Sequence, residues 1–409
     1  MLDVFAMKDT WAVTQGQGVT VAVVDSGVDG SHPDLTGQVL KGKDFTGGGN
    51  AQDDLSGHGT GMASIIAAHG HGTGNSSGMI GLAPKAKILP LRTYQKKNDK
   101  NPDEAWAAAV RYAVDQGAKV INLSFGADGG KTSPVGREAI AYAEAHDVVV
   151  VAAAGNTGAV AVEEPAALPG VVSVGAVDKE ANRWNGSNSG KGLALMAPGV
   201  QVLSADNTES QKYSLSDGTS DATAFVSATA ALVRAKYPNL TAGQVINRLI
   251  KSASFLGHKG LKAPDEEYGY GIIRPRQAVT MNIPPGPKTN PLGQLQSSTS
   301  TSTESSKATG SSTQAEKKDS SSSSILVVVG AIAAIVVIGV IALVVVRSRR
   351  NGGSGGPGSR GGASSQYASY PPAQQPYPSS ATNQGPPPSP GQYPHNPNPY
   401  SQQPPHQGQ

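Results

Sequence analysis

Short apolar runs recur through the first two-thirds of the chain. They cover Val19 to Val24, Lys87 to Arg92, Lys119 to Ser124, Val148 to Ala154 and Val171 to Val177. Runs of this length without polar alternation predict strands buried on both faces, as in a parallel sheet. Segments with helical spacing lie between and after them. Asn101-Pro102-Asp103-Glu104 reads as a capping box, with Asn101 as N-cap and Glu104 at N3. The helix it opens carries Trp106, Ala109, Val110, Ala113 and Val114 on one face and stops at Gly117. On that pattern Trp106 belongs to the core. Further helices are predicted over Val135 to Ala145, over the alanine-rich stretch Ala222 to Ala235, and from a second capping box at Thr241 to Gln244 as far as Lys251. Strands alternating with helices predict an α/β fold around a mainly parallel sheet. In such folds ligands bind beyond the carboxyl ends of the strands.

This patterning ends near residue 283. Residues 1–283 have the composition of one large globular domain. Residues 284–324 are rich in Pro, then in Ser and Thr, and predict a flexible stalk. Ile325 to Val346 is an uncharged run of Val, Ile, Ala and Leu. As a helix it would be roughly 33 Å long, enough to cross a bilayer core and contact membrane lipid. Arg347, Arg349 and Arg350 follow directly, whereas Lys317 and Lys318 lie farther from the other end beside Asp319. The bias predicts a single-pass protein of the cell membrane, its C-terminus cytoplasmic and its folded domain extracellular. Residues 347–409 are rich in Gly, Pro, Gln and Tyr and predict a disordered tail. Met1 to Gly18 shows no charged segment followed by an apolar one, the pattern of a secretory signal.

Composition adds exclusions. The formal charge of +3 is small and dispersed, which argues against a nucleic-acid partner. The chain has no cysteine, so disulfides and cysteine metal sites are excluded. His69-Gly70-His71 lacks a nearby third ligand, and no metal or other cofactor is expected. Asp53 and Asp54 read as solvated loop carboxylates, and His32 as a structural loop residue.

Three polar residues stand out because each falls where an apolar element begins or ends. Asp25 closes the run Val21 to Val24. His58, in Gly57-His58-Gly59-Thr60, precedes the apolar run Met62 to Ala68. Ser220, in Gly218-Thr219-Ser220, enters the alanine-rich helix, whose positive end suits developing negative charge. Singly these read as a turn aspartate, a loop histidine and a helix-capping serine. Together they give Asp, His and Ser in that order, the order of the subtilisin triad.

With Ala152-Ala153-Ala154-Gly155-Asn156 as a fourth match, the chain resembles the subtilisin-like serine proteases over roughly residues 10 to 283. The resemblance implies a three-layer subtilisin-like fold and a serine endopeptidase acting on protein or peptide substrates. By the same resemblance Asp25, His58 and Ser220 form the triad and Asn156 donates to the oxyanion. Ser124, Phe125 and Gly126 would supply one edge for the substrate strand. Ala153, Ala154 and Gly155 would floor the pocket for its P1 side chain. Two positions depart from the common pattern: Asp221 stands where many subtilases have Met, and Ala224 where they have Pro. Asp221 is expected to point outward at the helix N-terminus. The succession of protease domain, stalk, single span and tail further resembles the mycosins, membrane-anchored subtilases of type VII secretion. That implies secretion-system membrane proteins as partners. The alternative is a subtilase-like structural component of such a complex.

Overall fold

The computed structural model describes residues 5–96, 101–126 and 130–295. Eleven strands are formed by Thr20–Asp25 (β1), Lys43–Asp44 (β2), His69–His71 (β3), Ser77–Ile80 (β4), Lys87–Arg92 (β5), Val120–Leu123 (β6), Val149–Ala153 (β7), Val172–Val177 (β8), Leu195–Pro198 (β9), Val202–Ala205 (β10) and Tyr213–Ser216 (β11). The helices are Met7–Val13 (α1), His58–Ala67 (α2), Asp103–Asp115 (α3), Pro134–Ala145 (α4), Thr219–Lys236 (α5), Ala242–Ser252 (α6) and Pro275–Thr280 (α7). Seven strands make one sheet in the order β2-β5-β1-β6-β7-β8-β9, every pairing parallel. The five predicted strands form its interior, and β2 and β9 its edges.

Alternate residues of each strand feed two cores. Val21 and Val23 of β1 and Val149 and Val151 of β7 face α2, α5 and α6. Ala22 and Val24, with Ile121, Leu123 and Val150, face α3 and α4, where Trp106 is buried. A strand covered on both sides has no use for polar alternation, which is why these runs read as unbroken. The expected three layers are therefore present.

Helix α5 lies through the middle of one core. Its residues from Ala222 to Val233 are all buried, and Ala222, Ala224, Ala228, Ala230 and Ala231 let it approach the sheet closely. It starts at Thr219, earlier than the predicted Ala222, so Ser220 lies inside its first turn. Helix α6 opens on the capping box predicted at Thr241 and Gln244.

Several expectations are corrected. Helix α3 begins at Asp103, with Pro102 as N-cap and no side-chain cap. Asp103 instead binds Trp106 Nε1 at 2.8 Å and the Ser133 amide, tying α3 to the start of α4. The hairpin β10–β11 was not foreseen. Its outward Leu203 and Leu215 break the apolar-in pattern that marks strands. The first part of the expected stalk, residues 284–295, is docked on the domain. Thr241 and Gln244 bind the Lys288 and Gly286 carbonyls, and Asn290 Nδ2 donates to the Gly170 carbonyl at 2.7 Å. Among the described residues no helix is long and apolar enough to cross a membrane. The span expected at 325–346 lies outside them, as does the tail 347–409.

The close approach of α5 gives a stability prediction. Ala228 is fully buried, so Ala228→Leu should overpack the core and cost about 1–3 kcal/mol. Urea denaturation would show this as a lowered midpoint at unchanged slope.

Candidate active site

Parallel strands bring their carboxyl ends to one side, and the singled-out residues gather there. Asp25 ends β1, Ser124 follows β6, and Ala154 to Asn156 follow β7. The N-termini of α2 and α5 present His58 and Ser220.

Asp25 is fully buried, which is costly for a carboxylate unless it is hydrogen-bonded. Its Oδ1 accepts from the Ser26 amide at 2.8 Å and from the Tyr94 hydroxyl at 2.7 Å. His58 Nδ1 lies 2.8 Å from the same oxygen. A carboxylate can only accept, so Nδ1 carries the proton and Nε2 is the ring's free position in the neutral form. Tyr94 is a functional neighbour that the sequence reading missed. It has no motif, and its link to Asp25 spans 69 positions.

Asp54 was expected in solvent and is instead buried. Its Oδ1 accepts from the Ser56 and Gly57 amides, and its Oδ2 from the amide and hydroxyl of Thr60. It thereby holds the turn that leads into α2 and one open N–H of its first turn, on either side of His58. Ser26 Oγ bridges toward both Asp25 and Asp54. Of the other histidines, buried His32 meets the Lys212 carbonyl through Nε2, and His71 Nδ1 meets Asp34 Oδ1 at 2.5 Å.

The turn at Ser220 is held from three strand ends. The Gly218 amide donates to the Gly199 carbonyl beyond β9 at 2.8 Å. The Thr219 amide and hydroxyl donate to Asn156 Oδ1 at 2.8 and 2.9 Å. Those two donors identify that atom as oxygen and leave Nδ2 as the outward amide donor. Ser124 Oγ donates to the Ser220 carbonyl, and Ser220 Oγ donates back to the Ser124 carbonyl, both at 3.0 Å. Ser220 therefore lies beside Ser124, and its hydroxyl is not hydrogen-bonded to His58.

Asp221 is the clearest correction. It does not point outward: it is buried, and Ser216 Oγ donates to its Oδ1 at 2.9 Å. Burial raises its pKa to about 6, against the lowering effects of the Ser216 hydrogen bond and of His58. At His58 burial disfavours the imidazolium, but bonded Asp25 outweighs it, helped by Asp221 and Asp54 at longer range. The imidazole pKa rises to about 9.

The expected substrate-binding residues surround this point. Ser124 is buried, Phe125 and Gly126 are partly exposed beyond β6, and Ala153, Ala154 and Gly155 are buried at the end of β7. Gly155 has φ +113, a conformation open to glycine and strained for other residues. Among the described residues no group of His, Cys, Asp and Glu could hold a metal ion.

This arrangement can be compared with known proteins. Subtilisin DY from Bacillus licheniformis is 36% identical over 65% of this chain and 92% of its own length. The thermophilic serine proteinase of Bacillus sp. strain AK1 is 38% identical over 66% of this chain, and the match spans 64% of that longer protein. Among solved structures, MycP1 from Mycobacterium smegmatis is 30% identical, with a TM-score of 0.60 over 71% of this chain and 86% of that one. MycP3 protease from the type VII (ESX-3) secretion system is 31% identical, with a TM-score of 0.59 over 69% and 88%. Residues 16–271 match the Subtilase family. The chain thus belongs to the subtilases, and its folded domain is a subtilisin-like serine peptidase of the group that includes the mycosins.

Proposed function

We propose that the chain is a membrane-anchored endopeptidase that cleaves extracytoplasmic proteins through Asp25, His58 and Ser220. The observation that carries this reading is the 2.8 Å contact of His58 Nδ1 with buried Asp25, at the carboxyl end of the sheet where α5 presents Ser220. Ser220 Oγ, rotated away from the Ser124 carbonyl, attacks the scissile carbonyl carbon as His58 Nε2 takes its proton. Asp25 holds the ring tautomer and stabilises the imidazolium. The tetrahedral oxyanion receives hydrogen bonds from Asn156 Nδ2 and the Ser220 amide. The carbon–nitrogen bond breaks as His58 returns the proton to the leaving amine. Water, deprotonated by His58, then hydrolyses the acyl-enzyme. The substrate lies as an added strand along Ser124 to Gly126, with its P1 side chain toward Ala153 to Gly155.

Anchoring is supported by the apolar run 325–346 and the arginines after it. A role beside a type VII secretion apparatus is supported by similarity to MycP1, described as part of the ESX-1 type VII secretion system. Its partners there would be membrane proteins of that apparatus.

A fluorophosphonate probe should label the wild type and leave Ser220→Ala unlabelled; equal labelling of both would remove Ser220 from the reaction. Fractionation of intact cells should place the protein in the membrane, its catalytic domain open to added protease. A protected domain would reverse the topology.

The pH profile gives a separate check. His58 must be neutral to accept the serine proton, and its pKa is raised to about 9. Activity should therefore climb as pH rises through about 9. Asp221→Asn removes an anion that favours the imidazolium, so the pKa must fall and the acidic limb of kcat/KM must move to lower pH. A limb at the ordinary imidazole position, unmoved in the variant, would show that Asp221 does not act on His58. The same raised pKa stabilises the fold below about 6.5, and that stabilisation is lost as pH rises through about 9.

A further inference from the structure

Asp25 Oδ1 accepts from more donors than one oxygen readily serves. The Ser26 amide reaches it at 2.8 Å, His58 Nδ1 at 2.8 Å and the Tyr94 hydroxyl at 2.7 Å. One carboxylate oxygen offers about two lone-pair sites. The Ser26 hydroxyl is 3.2 Å from Asp25 Oδ1 but 2.8 Å from Asp54 Oδ1, and its single proton goes to Asp54. Three donors therefore divide the charge of one atom. Among the described residues Asp25 Oδ2 has no hydrogen-bond partner.

The fold makes Tyr94 one of the three. β5 lies beside β1 in parallel register, with Arg92 opposite Asp25. The Thr93 amide donates to the Asp25 carbonyl at 2.8 Å, which carries the pairing one residue past the strand. Tyr94 follows, and its hydroxyl reaches the Asp25 carboxylate. Tyr94 Oη is also 3.2 Å from His58 Nδ1. That nitrogen carries a proton and has no lone pair to offer, so the two are donors that face one acceptor. Burial and the charge of Asp25 hold the Tyr94 pKa well above the ordinary phenol range. The hydroxyl therefore stays a donor while His58 titrates.

Four groups act on the imidazole. Asp25 at the end of β1, Asp54 before α2 and Asp221 in α5 are anions that favour its protonated form. Tyr94, after β5, is neutral and acts through Asp25. A donor on a carboxylate stabilises its charge and weakens the hold of that oxygen on its other partners. Tyr94 thus works against the three anions. It leaves Asp25 in contact with Nδ1 and lessens the preference of Asp25 for the imidazolium.

We propose that Tyr94 is a positioning residue of the triad, whose hydroxyl shares Asp25 Oδ1 with His58 and so lets the imidazole act as a base at lower pH than Asp25 would otherwise allow. This deepens the peptidase reading above and rests on it. Loss of the hydroxyl would leave two donors on Oδ1, strengthen the Nδ1 hydrogen bond and favour the imidazolium.

The test compares the full chain with Tyr94→Phe, which keeps the ring, and with a chain carrying meta-fluorotyrosine at position 94, whose more acidic hydroxyl is the stronger donor. For each, kcat/KM on a fluorogenic peptide that the wild type cleaves is followed against pH. Fluorophosphonate labelling reports Ser220, and the proton resonance of His58 Nδ1–H is titrated by NMR. In Tyr94→Phe the acidic limb and the NMR titration should both move up by about half a unit or more, and kcat/KM below the limb should fall about threefold or more. The fluorotyrosine chain should move the limb the opposite way. A limb that stays or moves down in a labelled Tyr94→Phe would overturn the inference and leave the peptidase reading intact, because loosened packing or a turned Asp25 weakens the imidazolium. Should Tyr94→Phe fail to fold, a limb unmoved or raised in the fluorotyrosine chain would overturn it alone. A wild type that takes no label and cleaves no peptide would overturn the peptidase reading itself and this inference with it.

Discussion

The tight contact of α5 with the sheet governs the rest of the structure. Alanines let the helix lie close, and its first turn then meets the ends of β6, β7 and β9 at once. At that distance backbone groups must be partnered by other backbone groups or by small polar side chains. The structure does this with a buried relay: Ser227 Oγ donates to Asn122 Oδ1, Asn122 Nδ2 to Ser124 Oγ, and Ser124 Oγ to the Ser220 carbonyl. Each unsatisfied member would cost about 1–3 kcal/mol. Gly199 marks how close the approach is, since a Cβ there would strike the Gly218 carbonyl and Ala176. The seat of Ser220 is thus set by packing that begins well outside the site.

Electrostatics is the second constraint. Three carboxylates act on one imidazole: Asp25 by contact, Asp221 and Asp54 at longer range. Buried anions need compensation, and here it comes partly from helix starts. Asp54 takes the amides of Gly57, at the N-cap of α2, and of Thr60 in its first turn, and Asp221 lies in the first turn of α5. The negative charge around His58 thus doubles as helix capping, which makes it hard to remove without disturbing the helices.

The sequence made the strand ends legible because a fully buried strand is an unbroken apolar run and its first polar residue is conspicuous. Asp25, Ser124 and Asn156 were found that way, and His58 and Ser220 because helix starts carry their own signals. Side chains that reach the site across the fold left no such mark. Tyr94 follows an apolar strand like any loop tyrosine. Asp54 was misplaced because a charged loop residue usually faces water, whereas this one replaces water for two amides of the turn before α2 and for the amide and hydroxyl of Thr60. The outward Asp221 failed for a related reason: Ser216 of β11, an unforeseen strand, supplies its partner.

Asp221 also exposes a conflict between two protonation states. Its Oδ2 and Asn156 Nδ2 both border the space beside Gly218, at 3.4 and 3.8 Å from where a Cβ of that residue would sit. In the mechanism proposed above, the oxyanion that binds Asn156 therefore forms near a carboxylate. Protonating Asp221 would relieve the repulsion, but its pKa is about 6 while that of His58 is about 9. With those values Asp221 ionises at lower pH than His58 loses its proton. The imidazolium is itself one of the groups that lower the Asp221 pKa, so losing its charge favours protonation of Asp221. An uncharged methionine at this position, as in many subtilases, avoids both effects at once. In that mechanism Asp221 both helps to lift the imidazole pKa and sets the charge against which Asn156 and the start of α5 would work.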